Sequence, residues 1–128
     1  MDYTIDRIIE GDFANIVTRT IAALKLQGFG VLTDIDIQAT LKSKLNVEFR
    51  PYRILGACNP PFAHRALQLE DKIGAMLPCN VVVQHVSDGR VEVSAVNPLV
   101  GMEKIGNSQL TEIARQVGAM LRRVVESV

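Results

Sequence analysis

Two cysteines, Cys58 and Cys79, are the residues of this sequence whose type and position best suit chemistry. Cys58 ends an apolar run and is followed by Asn59 and Pro60, a pattern that predicts the start of a helix. A thiol beside a helix N-terminus faces free backbone N–H groups and the positive end of the helix dipole, which favour a thiolate. Cys79 follows Pro78 and opens a predicted strand. We therefore expect both thiols at the ends of elements, where side chains converge on a cleft.

The two cysteines allow three interpretations. Each can be a small apolar core residue, the two can form one thiol, redox or ligand site, or they can belong to a metal site. If their strands are antiparallel neighbours, we expect the two Cα atoms within about 10 Å of each other. Neighbouring amides would then surround a bound anion or thiolate partner. The candidate ligand-binding residues are Cys58, Asn59, Cys79 and Asn80.

Other groups that suit metal binding or catalysis have simpler structural explanations. The spacing of Cys58, His64 and Cys79 is unlike the close cysteine pairs of structural zinc sites, so we expect no metal, and we expect His64 to face solvent or cover an apolar face. Asp34 and Asp36 are better explained by helix capping than as a carboxylate pair. Neither a Gly-x-Ser-x-Gly motif nor a phosphate-binding glycine loop occurs, so the sequence favours a non-enzymatic protein and identifies no cofactor.

Composition places these residues in one domain. The chain has 128 residues, 48% of them hydrophobic, and its 14 basic and 14 acidic side chains balance. That length fits a single domain over residues 1–128 with a core large enough to fold without several disulfides. The chain therefore lacks the excess of basic residues that is typical of a nucleic-acid-binding protein. No apolar run approaches the ~20 residues that cross a bilayer, and no signal segment is evident, so we expect a cytoplasmic protein without a membrane partner.

Hydrophobic periodicity predicts the element order β-α-β-α-β-α-β-β-α. The first strand covers about residues 2–9 and the first helix about 13–27, which Asp12 caps and Gly28 ends. A buried strand over 29–33, a short helix and a central strand over 52–57 follow. A helix from Pro60, two strands over 80–86 and 91–96, a loop from 97 to 106 and a long last helix complete the chain.

The clearest local signal is a hairpin turn at Asp88-Gly89. A two-residue turn there places His85 opposite Glu92, where the two form an ordinary cross-strand charge pair, and Val83 opposite Ser94. The histidine therefore has a structural explanation.

The element order predicts an α+β fold with two layers, in which a mixed β-sheet packs against helices. Gly118 lies inside the apolar pattern of the last helix, which marks close approach by another backbone, and a second subunit is a candidate for it. Because a small, strongly apolar domain tends to hide part of its surface, we expect a homodimer that uses the sheet edge or the Gly118 face.

Three stretches together resemble the domain-of-unknown-function family 302 of bacteria and archaea. They are Ile54-Leu-Gly-Ala-Cys-Asn-Pro60, Leu77-Pro-Cys-Asn-Val-Val-Val83 and Gly28-Phe-Gly-Val-Leu-Thr-Asp34. The resemblance covers nearly the whole chain and implies a two-layer α+β domain with a mixed sheet, commonly a homodimer. The family's Cys-Asn-Pro and Pro-Cys-Asn motifs match residues 58–60 and 78–80. The family has no agreed activity, so the resemblance implies a fold and no function.

Two classes of function remain. The first is a non-enzymatic dimeric module that binds a small ligand or a partner. The alternative is a thiol-dependent protein that handles redox equivalents, sulfur or a soft metal through Cys58 and Cys79. Reactivity separates the two classes, because only the second requires an accessible thiolate.

Overall fold

The computed structural model describes residues 2–128 as one five-stranded sheet with helices. The strands are β1 (Thr4–Glu10), β2 (Gly30–Asp36), β3 (Tyr52–Cys58), β4 (Cys79–Ser87) and β5 (Arg90–Val96). The helices are α1 (Phe13–Leu26), α2 (Ile37–Leu45), α3 (Pro60–Leu69), α4 (Pro98–Met102) and α5 (Ser108–Ser127), with 3₁₀ turns over Asp71–Met76 and Glu103–Ile105. The predicted two-layer α+β class and the order of the predicted elements are confirmed.

The sheet is antiparallel throughout, so the predicted mixed sheet is wrong. Its strand order is β1-β5-β4-β3-β2, and α1 carries the chain from one edge strand to the other. The two strands that α1 connects run in the same direction but never touch. Helices α2 and α3 each return the chain to the adjacent strand instead of crossing the sheet, and the returning strand is therefore antiparallel.

The core lies between one face of the sheet and helices α1 and α5. Alternate side chains of β5, Val91, Val93 and Ala95, are fully buried, as expected for a strand with one covered face. Leu121 and Val124 of α5 pack in the same cluster, and they belong to the apolar stripe predicted for the last helix. No helix within residues 2–128 is long and apolar enough to span a membrane.

Strand β2, predicted to be buried, is instead an exposed edge of the sheet. It pairs only with β3, and Leu32 and Ile35 are 68% and 44% exposed. An apolar run gives high strand propensity at a central or an edge position alike, so the sequence pattern does not distinguish the two.

The two aspartates at the end of β2 have separate structural roles. Asp36 caps α2 by accepting a hydrogen bond from the backbone N–H of Ala39 (2.9 Å), as capping predicted. Asp34 accepts from Nε of Arg53 on β3 (2.7 Å), and this hydrogen bond holds the pKa of Asp34 below its ordinary value. Asp34 thus belongs to a surface ion pair with Arg53, while Asp36 belongs to a helix cap.

The predicted hairpin register is wrong by one residue. Ser87 pairs with Arg90 around the Asp88-Gly89 turn as expected, but the register then shifts between His85 and Ser87. This bulge places His85 opposite Val91, Gln84 opposite Glu92 and Val83 opposite Val93. The partner of Glu92 is therefore Gln84, whose Nε2 donates to Oε1 of Glu92 at 3.3 Å.

The predicted loop after β5 contains the short helix α4. Asn97 caps it by accepting from the backbone N–H of Leu99 (3.2 Å), and Pro98 occupies its first turn. Pro98 also packs against Gly118 of α5, since a Cβ built on Gly118 would lie 3.7 Å from Cδ of Pro98. The close approach expected at Gly118 is thus made within this chain.

Candidate functional site

The end of β3 and the start of β4 lie side by side at one end of the sheet. Ala57 is the register partner of Cys79, and Cys58 pairs on its other side with Gly30 of β2. Both cysteines are free thiols and partly buried. The two strands are antiparallel neighbours, but the register partner of Cys79 is Ala57, so a facing cysteine pair is not formed.

A cavity of about 310 Å³ lies between this end of the sheet and helices α3 and α5, and we name it the strand-end cavity. Cys58, Asn59 and Cys79 line it where the strands end. Three of the four residues proposed from the sequence as ligand-binding are therefore brought to one cavity. The fourth, Asn80, is exposed and does not line it.

Small side chains on the two helices leave the cavity unfilled. Ala63 and Ala66 lie one helical turn apart on α3, and Ala114 lies on the facing helix α5. Pro98 and Met102 of α4 also contribute to the lining. Ala66 and Ala114 belong to apolar stripes predicted for their helices, whereas Pro98 and Met102 lie in the segment predicted to be a loop, and the sequence analysis missed their role at a site. The alanines were the available signal, since alanine adds helix without adding volume.

In the described part of the chain, no Asp, Glu, Lys, Arg or His lines the strand-end cavity. His64 of α3 is exposed. Among residues 2–128, no group of three or more His, Cys, Asp or Glu side chains is placed to hold a metal ion. The polar side chains in the lining are thus two thiols and one amide.

Asn59 occupies the N-cap position of α3, as predicted, but its side chain does not cap the helix. Its Nδ2 instead donates to the backbone carbonyl of Gln27 at 3.4 Å. Gly28, at φ +86°, brings the end of α1 so close that a Cβ there would lie 3.2 Å from this nitrogen. Asn59 is only 8% exposed, and it joins the end of α1 to the start of α3.

The N-terminus of α3 is a weak anion site, contrary to the expectation from the sequence. Pro60 and Pro61 have no backbone N–H, and the N–H of Ala63 is already donated to the Asn59 carbonyl (3.0 Å). The N–H groups of Asn59 and Phe62 are the two that remain at the helix start. Anion binding at a helix end relies on several free N–H groups, and the double proline removes two of them.

Burial disfavours the thiolate form of Cys79. Its desolvation, reinforced by the neighbouring Cys58 thiol, raises the pKa of Cys79 to about 11, from an ordinary 9.0. The side chain is therefore a neutral thiol at physiological pH. A protonated thiol is a poor nucleophile and a poor metal ligand, and it behaves as a small apolar group.

The fold and the cavity together define a two-layer α+β domain with an uncharged, mostly apolar site at one end of its sheet. The family described as "Domain of unknown function DUF302" matches residues 5–128, so this chain belongs to that family. The fold is that of the uncharacterized conserved DUF302 protein from Bacillus stearothermophilus, seen in its crystal structure with a TM-score of 0.91. The two chains are 26% identical over 99% of this chain and 98% of that chain. No curated protein matches this chain.

Proposed function

We propose that this protein is a non-enzymatic binding module that holds a small apolar molecule in the strand-end cavity. The observation that carries the proposal is the cavity itself, about 310 Å³ in volume and almost wholly apolar in its lining. Ligand sites in proteins are typically concave, mostly apolar and provided with a few polar groups. An apolar cavity of about 150 Å³ is already enough to bind benzene.

The thiol-dependent alternative receives less support. Burial raises the pKa of Cys79, which lowers its thiolate fraction further, and the start of α3 lacks two of the N–H groups that would favour a thiolate beside it. The lining of the cavity therefore favours binding of a ligand through apolar contacts over chemistry at a thiol.

Naphthalene, a neutral hydrocarbon with ten carbon atoms, is a suitable probe for the cavity. We expect the protein to bind it in the micromolar range, as measured by isothermal titration calorimetry. In Ala63→Phe, the new ring occupies the cavity from α3, and we expect binding at least tenfold weaker. Ala22→Phe, on the exposed side of α1, is the matched control and is expected to bind like the unaltered protein. Absence of binding to the unaltered protein, or equal binding by both variants, contradicts the proposal.

We propose further that two copies of the chain associate, as expected from the sequence, through the exposed edge of the sheet. Pro98 already covers Gly118, which leaves the sheet edges β1 and β2, and β2 has two exposed large apolar side chains, Leu32 and Ile35, against Ile8 in β1. An edge strand with unpaired backbone groups and exposed apolar side chains favours pairing with another strand. Helix α2 beside it has no buried residue, and Leu45 is exposed.

Sedimentation velocity tests this association. We expect a dimer at micromolar concentration and a monomer for Ile35→Lys, because the lysine places a charge on the paired strand. Leu26→Lys changes an exposed leucine at the end of α1, away from the edge, and should leave the dimer intact. A monomer for the unaltered protein rules out the dimer.

A further inference from the structure

Asn59 lines the strand-end cavity and has a side-chain oxygen that no protein group among the described residues satisfies. Within residues 2–128 the side-chain oxygen of Asn59 accepts no hydrogen bond, while its Nδ2 is directed to the Gln27 carbonyl. No fully enclosed side-chain oxygen or nitrogen lacks a partner in this part of the chain, so Oδ1 retains some accessible surface. Asn59 lines the cavity and is otherwise buried. Oδ1 is thus the one side-chain oxygen among the described lining residues, and it has no protein partner.

The orientation of the Asn59 amide fixes which kind of group it can bind. One Nδ2 hydrogen is engaged at Gln27, whereas the oxygen has no partner, and an amide oxygen accepts hydrogen bonds but cannot donate them. The ligand group that binds Oδ1 is therefore a donor, such as a hydroxyl or an N–H.

The remainder of the site excludes charge. No basic side chain lines the cavity to pair with a carboxylate or phosphate, and no acidic side chain lines it to pair with an ammonium group. The prolines at the start of α3 remove the N–H groups that commonly replace a basic residue at anion sites. Burying an unpaired charge is far less favourable than burying a hydrogen-bonded hydroxyl.

We infer that the ligand of the strand-end cavity is a neutral apolar molecule with a single hydrogen-bond donor, a phenol or alcohol in class, whose donor binds Oδ1 of Asn59. This inference rests on the proposed function, because it names the chemistry of the molecule that the cavity holds. Apolar surface supplies most of the affinity, and the hydrogen bond selects the orientation.

Four probes of one ring system test the inference by titration calorimetry: naphthalene, 2-naphthol, 2-methoxynaphthalene and 2-naphthoate. We expect 2-naphthol to bind about five- to tenfold more tightly than naphthalene, since its hydroxyl gains a buried acceptor. The methoxy compound has an oxygen at the same position but no donor, and should lose this gain. Naphthoate is charged at neutral pH and should bind at least tenfold more weakly than naphthol.

The Asn59→Ala variant assigns the effect to one residue. We expect its ratio of naphthol to naphthalene affinity to fall to one or below, because an unpaired hydroxyl gains nothing from burial. If this variant does not fold, the comparison of the four probes on the unaltered protein still decides the matter.

The outcomes separate the two proposals. If naphthalene itself fails to bind, the proposed function is wrong. If naphthalene binds but naphthol binds no more tightly, or if the methoxy compound or naphthoate matches naphthol, the function stands and the inference about a neutral donor is overturned. The inference is supported when naphthol binds most tightly and the preference disappears in Asn59→Ala.

Discussion

Replacing Gly56 by alanine should lower the free energy of unfolding by about 3 kcal/mol. Gly56 lies in the buried centre of β3, and a Cβ built there overlaps Oγ1 of Thr33 and lies 2.8 Å from Cγ of Pro78. The threonine oxygen can rotate away, but the proline ring cannot. An added methyl group therefore forces apart β3 and the segment that leads into β4, and this separation is the physical reason for the loss.

Urea unfolding of the Gly56→Ala variant measures this loss, and Gly30→Ala is its matched control. Gly30 lies in the adjacent strand β2, where nothing is found within 4 Å of a built Cβ, so we expect a change within about 0.5 kcal/mol. Adding Thr33→Ala to Gly56→Ala should recover part of the stability, because one of the two obstacles is removed. A Gly56→Ala variant as stable as the Gly30→Ala variant would refute the account.

The sequence predicts the elements of this fold better than their arrangement. Helix α5 was predictable because its apolar residues recur with the 3.6-residue period of a helix, and these are the residues that the structure buries. The exposed position of β2 and the direction of its pairing depend instead on which strands meet, and that is decided by packing between distant segments. The bulge at His85 is a further example, since a one-residue shift leaves the composition of the strand unchanged.

The candidate site was also predictable only in part, because local sequence predicts where an element ends and not how distant elements pack. The Cys-Asn-Pro and Pro-Cys-Asn motifs placed three residues correctly at the ends of strands, where Cys58, Asn59 and Cys79 line one cavity. Asn80 was expected beside Cys79 at the site, but it does not line the cavity, because successive residues of a strand point to opposite faces. The volume of the cavity was not predictable, since it depends on the separation of α3 from α5.

One signal in the sequence was available and unused. Asn97-Pro98 repeats the Asn-Pro pattern of Asn59-Pro60, and both pairs begin helices in the structure. Applied to both positions, the capping rule predicts α4 as well as α3.

The reactivity of Cys79 should be about 100-fold lower than that of an exposed thiol at pH 7.5. Burial raises the pKa of Cys79 by about two units above the ordinary 9.0, and each unit reduces the thiolate fraction tenfold below both values. Iodoacetamide alkylation followed by mass spectrometry of the peptide that contains Cys79 measures this rate separately from that of Cys58. Rapid alkylation at neutral pH would instead support the thiol-dependent alternative.

The raised pKa of Cys79 also makes stability depend on pH in a definite direction. Below pH 9 the thiol is protonated in both the folded and the unfolded chain, so it contributes no pH dependence. Between pH 9 and 11 the unfolded chain loses this proton while the folded chain keeps it, and the free energy of unfolding therefore falls by up to ~1.4 kcal/mol per pH unit. Other groups titrate in this range, so the measured quantity is the difference between the unaltered protein and Cys79→Ala. We expect the unaltered protein to lose about 2–3 kcal/mol relative to the variant by pH 11, and a difference that does not change with pH would show that Cys79 is not buried as a neutral thiol.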